Sequence, residues 1–292
     1  MRTAASLKQA PSQSQFTQNP KDIFLTGATG FVGAWLLWEF LQHSKARVHC
    51  LVRAANVEQA RGRLHKILKY YLPDEDLSAH AERIIPILGD LSRPQLGLDD
   101  AQFASLAQTI DFICHCGGNV ASGNQGALDA ANESGTRSMI ALAKQGPVKP
   151  FHFISTVAVS GNRLPQVTER FRETDLELGQ SFLGYRADYA QSKYQAELLV
   201  RELGAEGHPV RTYRLGQVVG DSRCGRFKRE IFTDNFYRYL KMMIDFEIFL
   251  AVHRDRERSI NIIPVDIAAR QVVHIALKPE IQGDTFHPAP AA

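Results

Sequence analysis

Residues 24–33 read FLTGATGFVG, and this stretch stands between a short apolar run and a segment with helical apolar spacing. Glycines at this point of a strand–turn–helix unit allow a tight turn, a close approach of the backbone to a ligand, and close helix–strand packing. The free N–H groups at the start of the helix then face that ligand and favour phosphate. A glycine-rich loop alone is a weak pattern, but this one has the flanking strand and helix that it requires. The stretch predicts the opening βα unit of a dinucleotide-binding domain.

Outward from this loop, apolar runs and amphipathic stretches alternate along the chain. The apolar runs are continuous, which is typical of parallel strands that are buried on both faces. The sequence therefore predicts an α/β fold with a Rossmann-type doubly wound parallel sheet. The predicted strands are Ile23–Thr26, Arg47–Val52, Ile84–Leu88, Ile110–His115, Phe151–Ser155, Val210–Arg214 and Ile260–Ile263, and the predicted helices are Phe31–Gln42, Gln59–Tyr71, Ala101–Ala107, Ala127–Lys144, Tyr189–Leu203 and Pro264–Leu277.

The character of the sequence changes at both ends of this pattern. Residues 1–20 are polar and rich in Gln and Ser, and we expect a flexible leader or linker there. Residues 21–225 carry the predicted cofactor-binding Rossmann domain. Residues 226–258 are rich in aromatic and basic side chains, and they predict a small, mainly helical substrate cap. Residues 259–292 are expected to return to the Rossmann domain and to begin a C-terminal substrate region that is truncated.

The composition is that of an ordinary globular domain. The chain has 292 residues, of which 44% are hydrophobic and 22% charged, with a formal net charge of +3. This charge gives no general case for a nucleic-acid partner, and neither a signal peptide nor a run of roughly 20 apolar residues is present to indicate a membrane. Four cysteines without a CxxC pair are expected to be structural thiols. We expect a reduced, cytoplasmic protein without a metal site, and its oligomeric state stays open.

The end of the second predicted strand indicates which dinucleotide is bound. Arg53 lies about 20 residues past the glycine loop, where NAD enzymes tend to place an acidic residue for the ribose hydroxyls. An arginine there would bind a 2′-phosphate, with Arg63 as a second candidate, so NADPH is favoured. The alternative is that both are solvated surface arginines. Residues 89–91, after the third strand, could border the adenine, and residues 116–118, after the fourth, could let the backbone approach the cofactor.

Tyr189 and Lys193 are the candidate catalytic pair, because residues at i and i+4 are neighbours on one helix face. A lysine ammonium beside a tyrosine favours the phenolate and so eases proton transfer near neutrality. Ser155 and Thr156 end a predicted parallel strand, where a hydroxyl faces the ligand edge of the sheet, and we favour Thr156 as a hydrogen-bond donor to a substrate carbonyl. The alternative is a hydroxyl that caps the backbone of the strand end. Structural roles are expected for three histidines, His115, His152 and His287.

In this order the motifs resemble the extended short-chain dehydrogenases/reductases, and within them the thioester reductase branch. That branch includes the terminal reductase domains of nonribosomal peptide and polyketide synthases, carboxylic acid reductases, α-aminoadipate reductase and fatty acyl-CoA reductases. The resemblance covers roughly residues 22–290. The matching stretches are FLTGATGFVGAWLL at 24–37, CLVRA at 50–54, GDL at 89–91, ANESGT at 131–136, ISTVAVSG at 154–161, YAQSKYQAE at 189–197, YRLGQVVGDSRCG at 213–225 and IPVDIAA at 263–269.

The resemblance implies specific roles and a reaction. As the catalytic triad it implies Thr156, Tyr189 and Lys193. As NADP contacts it implies Gly27, Thr29, Gly30, Phe31, Val32, Arg53, Arg63, Asp90, Leu91, Cys116, Gly117 and Gly118, together with Tyr189 and Lys193. The implied reaction uses NADPH to release an acyl or peptidyl chain, held as a thioester on the phosphopantetheine arm of a carrier protein, as an aldehyde. A second reduction to the alcohol stays open.

Three features depart from the family pattern. The run CGGNVA at 116–121 stands where the family usually has an alanine-rich turn followed by a Val-Asn pair. Arg214-Leu215-Gly216 replaces an Arg-Pro-Gly on the nicotinamide side. The chain also stops soon after Phe286-His287-Pro288, whereas these reductases usually carry a further C-terminal stretch that completes the substrate region.

Two other functions stay open at this point: a different extended-family enzyme, such as a sugar epimerase or keto reductase, and a non-catalytic dinucleotide-binding sensor. The intact Thr/Tyr/Lys set argues against the sensor.

A run of four basic residues suggests how a carrier protein would dock, because carrier proteins are typically acidic around their attachment serine. We call this run, Arg223, Arg226, Lys228 and Arg229, the basic segment. The alternative is a solvated turn that keeps the cap soluble.

Overall fold

The computed structural model describes residues 16, 19–120, 125–161, 171–183, 187–229, 231, 234–247 and 261–289. In this part of the chain, the strands are β1 (Asp22–Thr26), β2 (Arg47–Val52), β3 (Ile84–Leu88), β4 (Phe112–His115), β5 (Phe151–Thr156), β6 (Val210–Leu215), β7 (Gln217–Val219), β8 (Ile262–Pro264) and β9 (Thr285–Phe286). Seven parallel strands form one sheet in the order β3-β2-β1-β4-β5-β6-β9, and the two short strands β7 and β8 form a second.

Helices cover both faces of the large sheet, which confirms the doubly wound architecture. The helices are α1 (Phe31–His43), α2 (Val57–Tyr71), α3 (Asp100–Thr109), α4 (Gln125–Leu128), α5 (Gly135–Lys144), α6 (Ala187–Ala205), α7 (Asn235–Asp245) and α8 (Val265–Ala276). Helices α1, α2 and α8 pack on one face of the sheet, and α3, α5 and α6 on the other. Helix α4 continues through a π-helical turn, Asp129–Ser134, into α5.

The continuous apolar strands follow from this layering. Successive side chains of a strand point to opposite faces, so a strand that is covered on both sides needs apolar residues at every position. In β1, Ile23 and Leu25 pack with α1 and α8, whereas Phe24 packs with the helices of the other face. The same alternation separates Cys114 from Ile113 in β4.

The order of strands places the predicted site. The chain moves outward from β1 to β2 and β3, then crosses back to β4 on the other side of β1, so the switch point lies between β1 and β4. There Thr26 pairs with His115. Ligands of open α/β sheets bind at the carboxyl ends of the strands at such a switch point. The glycine loop begins at this point, directly after Thr26.

Several features differ from the sequence-based expectation or extend it. The short strands β7 and β9 were not predicted, and β7 pairs with β8 through Val218 and Ile263. Within the predicted substrate cap the structure describes helix α7, whereas residues 248–258 lie outside the described part. Most of the predicted leader also lies outside it, but the Phe16 ring packs edge-on against His152. None of the helices in the described residues has the length and hydropathy that a membrane span requires.

Candidate active site

The glycine loop brings the ends of β1 and β4 into direct contact. Gly27 has a φ of +79°, and a Cβ at this position would lie 2.8 Å from the backbone nitrogen of Gly117. The same nitrogen donates to Thr26 Oγ1 at 2.8 Å. Helix α1 then begins after Gly30 without a side-chain cap and without an acidic residue in its first turn. Its first N–H groups therefore keep their capacity for an anionic ligand, and the cradle fits the pyrophosphate of a dinucleotide.

His115 is buried, and its two ring nitrogens connect Thr26, at the start of the glycine loop, to Thr136 on α5. Its Nε2 lies 3.1 Å from Thr136 Oγ1, and because that hydroxyl donates to the carbonyl of Asn132, it accepts from Nε2–H. His115 Nδ1 then accepts from Thr26 Oγ1 at 2.7 Å. Burial, with a smaller effect from the charge of Lys193, lowers the pKa of His115 to about 3. The imidazole is therefore neutral and holds the loop in place, in line with its expected structural role.

The two arginines proposed for the 2′-phosphate lie together at the end of β2. Both side chains are exposed, and the Arg63 guanidinium donates to the main-chain carbonyl of Arg53. Asp90, after β3, is close enough for the charge of Arg53 to act on it. Burial opposes ionisation of Asp90, but hydrogen bonds from Ser92 and the charges of Arg53 and Arg93 lower the pKa of its carboxyl. The exposed guanidinium groups of Arg53 and Arg63 therefore lie near the ionised carboxylate of Asp90, at the carboxyl ends of β2 and β3.

The loop after β4 is held by a residue that the sequence reasoning missed. Asn132, only 2% exposed, accepts from the backbone of Asn119 at 2.8 Å and donates to its carbonyl at 2.9 Å. The Asn132 amide also donates to Ser192 Oγ on α6, again at 2.9 Å. The sequence did offer a signal, because Asn132 is a polar residue at an apolar position of the predicted helix Ala127–Lys144. Asn132 joins the proposed cofactor loop to the helix that carries Tyr189 and Lys193.

Helix α6 carries the proposed catalytic pair at its amino-terminal end. Tyr189 is half-buried, whereas Lys193 is 6% exposed, lies 4.0 Å from the centre of the Phe153 ring and donates to the carbonyl of Ile154 at 2.8 Å. Burial lowers the pKa of Lys193 to about 8, although the neighbouring Cys116 and Glu197 act in the opposite direction. The ammonium is thus desolvated and oriented beside β5, where it can serve a tyrosine and a ribose.

The structure separates the two candidate hydroxyls at the end of β5. Ser155 donates to Glu197 Oε2 at 2.5 Å and points into the protein. Thr156 is partly exposed, and its Oγ1 accepts from the backbone of Ala158 at 3.3 Å. The alternative of a hydroxyl that caps the strand end is therefore observed for Thr156, but a hydroxyl that accepts one hydrogen bond still has a proton to donate. This arrangement favours Thr156 over Ser155 as a substrate contact.

The basic segment folds back onto the domain. Arg223 forms an ion pair with Glu75, at 3.4 Å, and Arg226 donates to the carbonyl of Tyr71. Lys228 pairs with Asp234 at 2.8 Å. Carrier docking on this segment stays a prediction, and these contacts favour the view that it supports the fold. Among the described residues, no group of three or more His, Cys, Asp or Glu side chains is placed to hold a metal ion.

The strand order and the glycine loop at its switch point define a Rossmann-type dinucleotide-binding domain, and the comparisons with known proteins place it among the extended short-chain dehydrogenases/reductases. The model of an NAD-binding family described as "Male sterility protein" matches residues 25–272. The chain belongs to this family. It is also 38% identical, over 265 residues, to a linear gramicidin synthase subunit from Brevibacillus parabrevis, an alignment that covers 90% of this chain and 5% of that one.

Two further comparisons agree with this assignment. The chain is 32% identical over 284 residues to the L-2-aminoadipate reductase large subunit of Penicillium chrysogenum, covering 93% of this chain and 19% of that one. The crystal structure of the terminal R domain from the myxalamid PKS-NRPS biosynthetic pathway superposes with a TM-score of 0.83 at 36% identity, covering 92% of this chain and 66% of that one. The chain thus spans less than a fifth of the length of the two curated relatives.

Proposed function

We propose that this chain is an NADPH-dependent thioester reductase that releases a carrier-bound acyl or peptidyl chain as an aldehyde. The observation that carries the proposal is the position of Lys193. It lies one helical turn beyond Tyr189 and is bound to β5 two residues before Thr156. The relatives, which are a peptide synthase component, a synthase terminal domain and an aminoadipate reductase, point to the same class of reaction.

NADPH is the proposed cofactor, and the residues present fit it. Gly27 leaves room for a pyrophosphate at the uncapped start of α1, and Arg53 with Arg63 offers two guanidinium groups for a 2′-phosphate. We assign the remaining contacts to Thr29, Gly30, Phe31, Val32, Asp90, Leu91, Cys116, Gly117 and Gly118. When bound, the cofactor supplies the hydride that reduces the carbonyl carbon.

The protein's own groups act on the carbonyl oxygen. The hydroxyls of Thr156 and Tyr189 donate to this oxygen as negative charge develops on it, and Tyr189 transfers its proton. The Lys193 ammonium favours the resulting phenolate and is held in place by the carbonyl of Ile154. The tetrahedral product then breaks its carbon–sulfur bond, which yields an aldehyde and a free thiol. The net reaction consumes one hydride and one proton.

The proposed partner is a carrier protein whose phosphopantetheine arm bears the thioester. The extended arm explains how a large peptidyl chain reaches a site at the edge of a sheet. The docking surface is not assigned to the basic segment, because Arg223 and Arg226 contact Glu75 and Tyr71 of the domain, and Lys228 pairs with Asp234 at the start of α7.

Oxidation of NADPH by the full chain tests the proposal. The protein is given an acyl-carrier protein, the same acyl group on a short pantetheine thioester, a keto compound and a nucleotide sugar, and aldehyde and thiol are quantified. We expect stoichiometric aldehyde and thiol from both thioesters. Turnover of the keto compound without any thioester reduction would replace the proposal with a keto reductase. NADPH binding without turnover of any substrate would indicate a sensor.

A further inference from the structure

Glu197 lies one turn beyond Lys193 on α6 and is only 3% exposed. Its carboxylate accepts three hydrogen bonds: one from Ser155 at 2.5 Å, and two from the guanidinium of Arg214, at 2.6 and 2.8 Å. A buried ion pair is weak evidence for a role in stability, because apolar replacements are often neutral or stabilising. The Glu197–Arg214 ion pair lies at the carboxyl ends of β5 and β6, beside the proposed site, and this position indicates a functional role for the pair.

Arg214 extends the same set of contacts along the carboxyl edge of the sheet. It lies on β6, opposite Ser155 of β5. Its Nη1 donates to the carbonyls of Arg172 and Glu173, at 3.2 and 3.4 Å, and lies 3.3 Å from Nε2 of His287. The ion pair therefore joins α6 and β5 to two further segments at this edge of the sheet, residues 172–173 and His287 after β9.

Helix α6 thereby binds β5 at two consecutive residues. Lys193 binds the carbonyl of Ile154, and Glu197 binds the side chain of Ser155. Adjacent side chains of a strand point to opposite sides, so a fixed Ser155 determines where Thr156 points. The pair of contacts also prevents α6 from sliding along β5, which would move Tyr189 relative to Thr156.

We propose that Glu197, held by Arg214, is the positioning residue of this site: through Ser155 it orients the Thr156 hydroxyl, and it sets the register of Tyr189 and Lys193 on β5. Glu197 acts only through these residues and contacts neither substrate nor cofactor. The inference rests on the proposed function for its substrate, but it concerns any carbonyl compound that the chain reduces.

The charge of Glu197 also acts on Lys193. Burial lowers the pKa of Lys193, and Glu197 opposes that effect from the same helix. The other titratable groups whose charge acts on Lys193 or is acted on by it are Cys116 and His115, at the end of β4, and Tyr189 lies one helical turn away on α6. Burial raises the pKa of the Cys116 thiol and lowers the pKa of His115, so both groups are neutral at pH 7. A variant that keeps the shape of Glu197 and removes its charge should therefore lose the proton of Lys193 at a lower pH.

Ser155→Ala tests the positioning role without breaking the ion pair. We expect kcat to fall about ten-fold or more, since small displacements of reacting groups are costly, with the KM for NADPH nearly unchanged. Ser138→Ala, which removes a partly buried hydroxyl from α5, is the matched control and should behave as the parent. A kcat for Ser155→Ala within about two-fold of the parent overturns the proposal.

Glu197→Gln adds a readout that a purely structural role would not move. The alkaline limb of its kcat profile should shift to lower pH relative to the parent. Reduced activity with an unshifted limb would make Glu197 a structural residue and overturn its role at Lys193. If this variant fails to fold, as judged by circular dichroism, Ser155→Ala alone decides the proposal.

The positioning role of Glu197 and the thioester reductase activity can fail separately. Each variant is compared with the parent on whichever carbonyl compound the parent reduces. A parent that reduces a keto compound but no thioester refutes the proposed function, and the ratios for Ser155→Ala and Glu197→Gln still decide the role of Glu197.

Discussion

Lys193 Nζ donates a hydrogen bond of 2.8 Å to the main-chain oxygen of Ile154, and this contact fixes α6 on β5 two residues before Thr156. The ammonium is buried and lies over the Phe153 ring. Burial lowers its pKa to about 8, so keeping the charge costs free energy in the folded state. A charge that is retained at such a cost is typical of a functional group.

Lys193→Met should therefore weaken function and increase stability. We expect loss of turnover and weaker NADPH binding, but a higher Tm at pH 7 without cofactor. The pKa of Lys193 falls from 10.5 to about 8 on folding. Its charge is destabilising below about pH 8, and the penalty vanishes as the pH approaches 10.5. Thermal scans at pH 7 and pH 10 should show a gain only at pH 7, and a lower Tm at pH 7 contradicts the prediction.

Tyr189→Phe should remove the proton donor and leave the fold intact. Because the ring still packs, we expect turnover to fall by about 100-fold or more, with NADPH affinity within a few-fold of the parent. Steady-state kinetics and fluorescence titration measure the two quantities. Tyr194→Phe is the matched control, since Tyr194 packs on Phe182 instead of lying in the proposed site. Near-normal turnover of Tyr189→Phe would rule out its assigned role.

Arg53→Ala should abolish the preference for NADPH over NADH. A charge-assisted contact to a 2′-phosphate contributes on the order of 1.5–3 kcal/mol, which is roughly ten- to hundred-fold in affinity. NADH binding should stay nearly unchanged. Dissociation constants for both cofactors measure the effect, with the exposed Arg61→Ala on α2 as control. Equal affinities of the parent protein for NADPH and NADH would show that Arg53 does not bind the 2′-phosphate.

Gly117→Ala should disturb the contact between the glycine loop and the end of β4. Its Cβ would lie 2.9 Å from Thr26 Oγ1 and 3.0 Å from a methyl group of Leu91, and Thr26 is fixed by its hydrogen bond to His115. We expect a loss of about 1–3 kcal/mol in the free energy of unfolding, together with weaker cofactor binding. Chemical denaturation and cofactor titration measure both, and an unchanged stability would mean that Thr26 and Leu91 can adjust.

Gly62→Ala provides the contrasting case. Gly62 lies within α2, and no atom approaches a Cβ at that position within 4 Å. Alanine should therefore stabilise the protein by about 0.5–1 kcal/mol through helix propensity alone. Cofactor binding should not change.

Most of the architecture was predictable from the sequence because it depends on local patterns. Strands β2 and β3 have the predicted bounds, and α1 differs from its prediction by a single residue. Strands β7 and β9, of three and two residues, were missed because so short a run has no measurable periodicity. The separate domain boundaries and the roles of the site residues stay predictions.

The sequence by itself determined the class of fold, the place of the glycine loop, and the pairing of Tyr189 with Lys193, since all three depend on spacing within one or two elements. The tertiary structure decided which of the two hydroxyls, Ser155 or Thr156, is available to a substrate. It further decided that Arg223 pairs with Glu75 and that Lys228 pairs with Asp234. It also decided the environment of Glu197, whose partners come from two different strands. Such contacts join side chains that are distant in the sequence, and no local periodicity specifies which of them will meet.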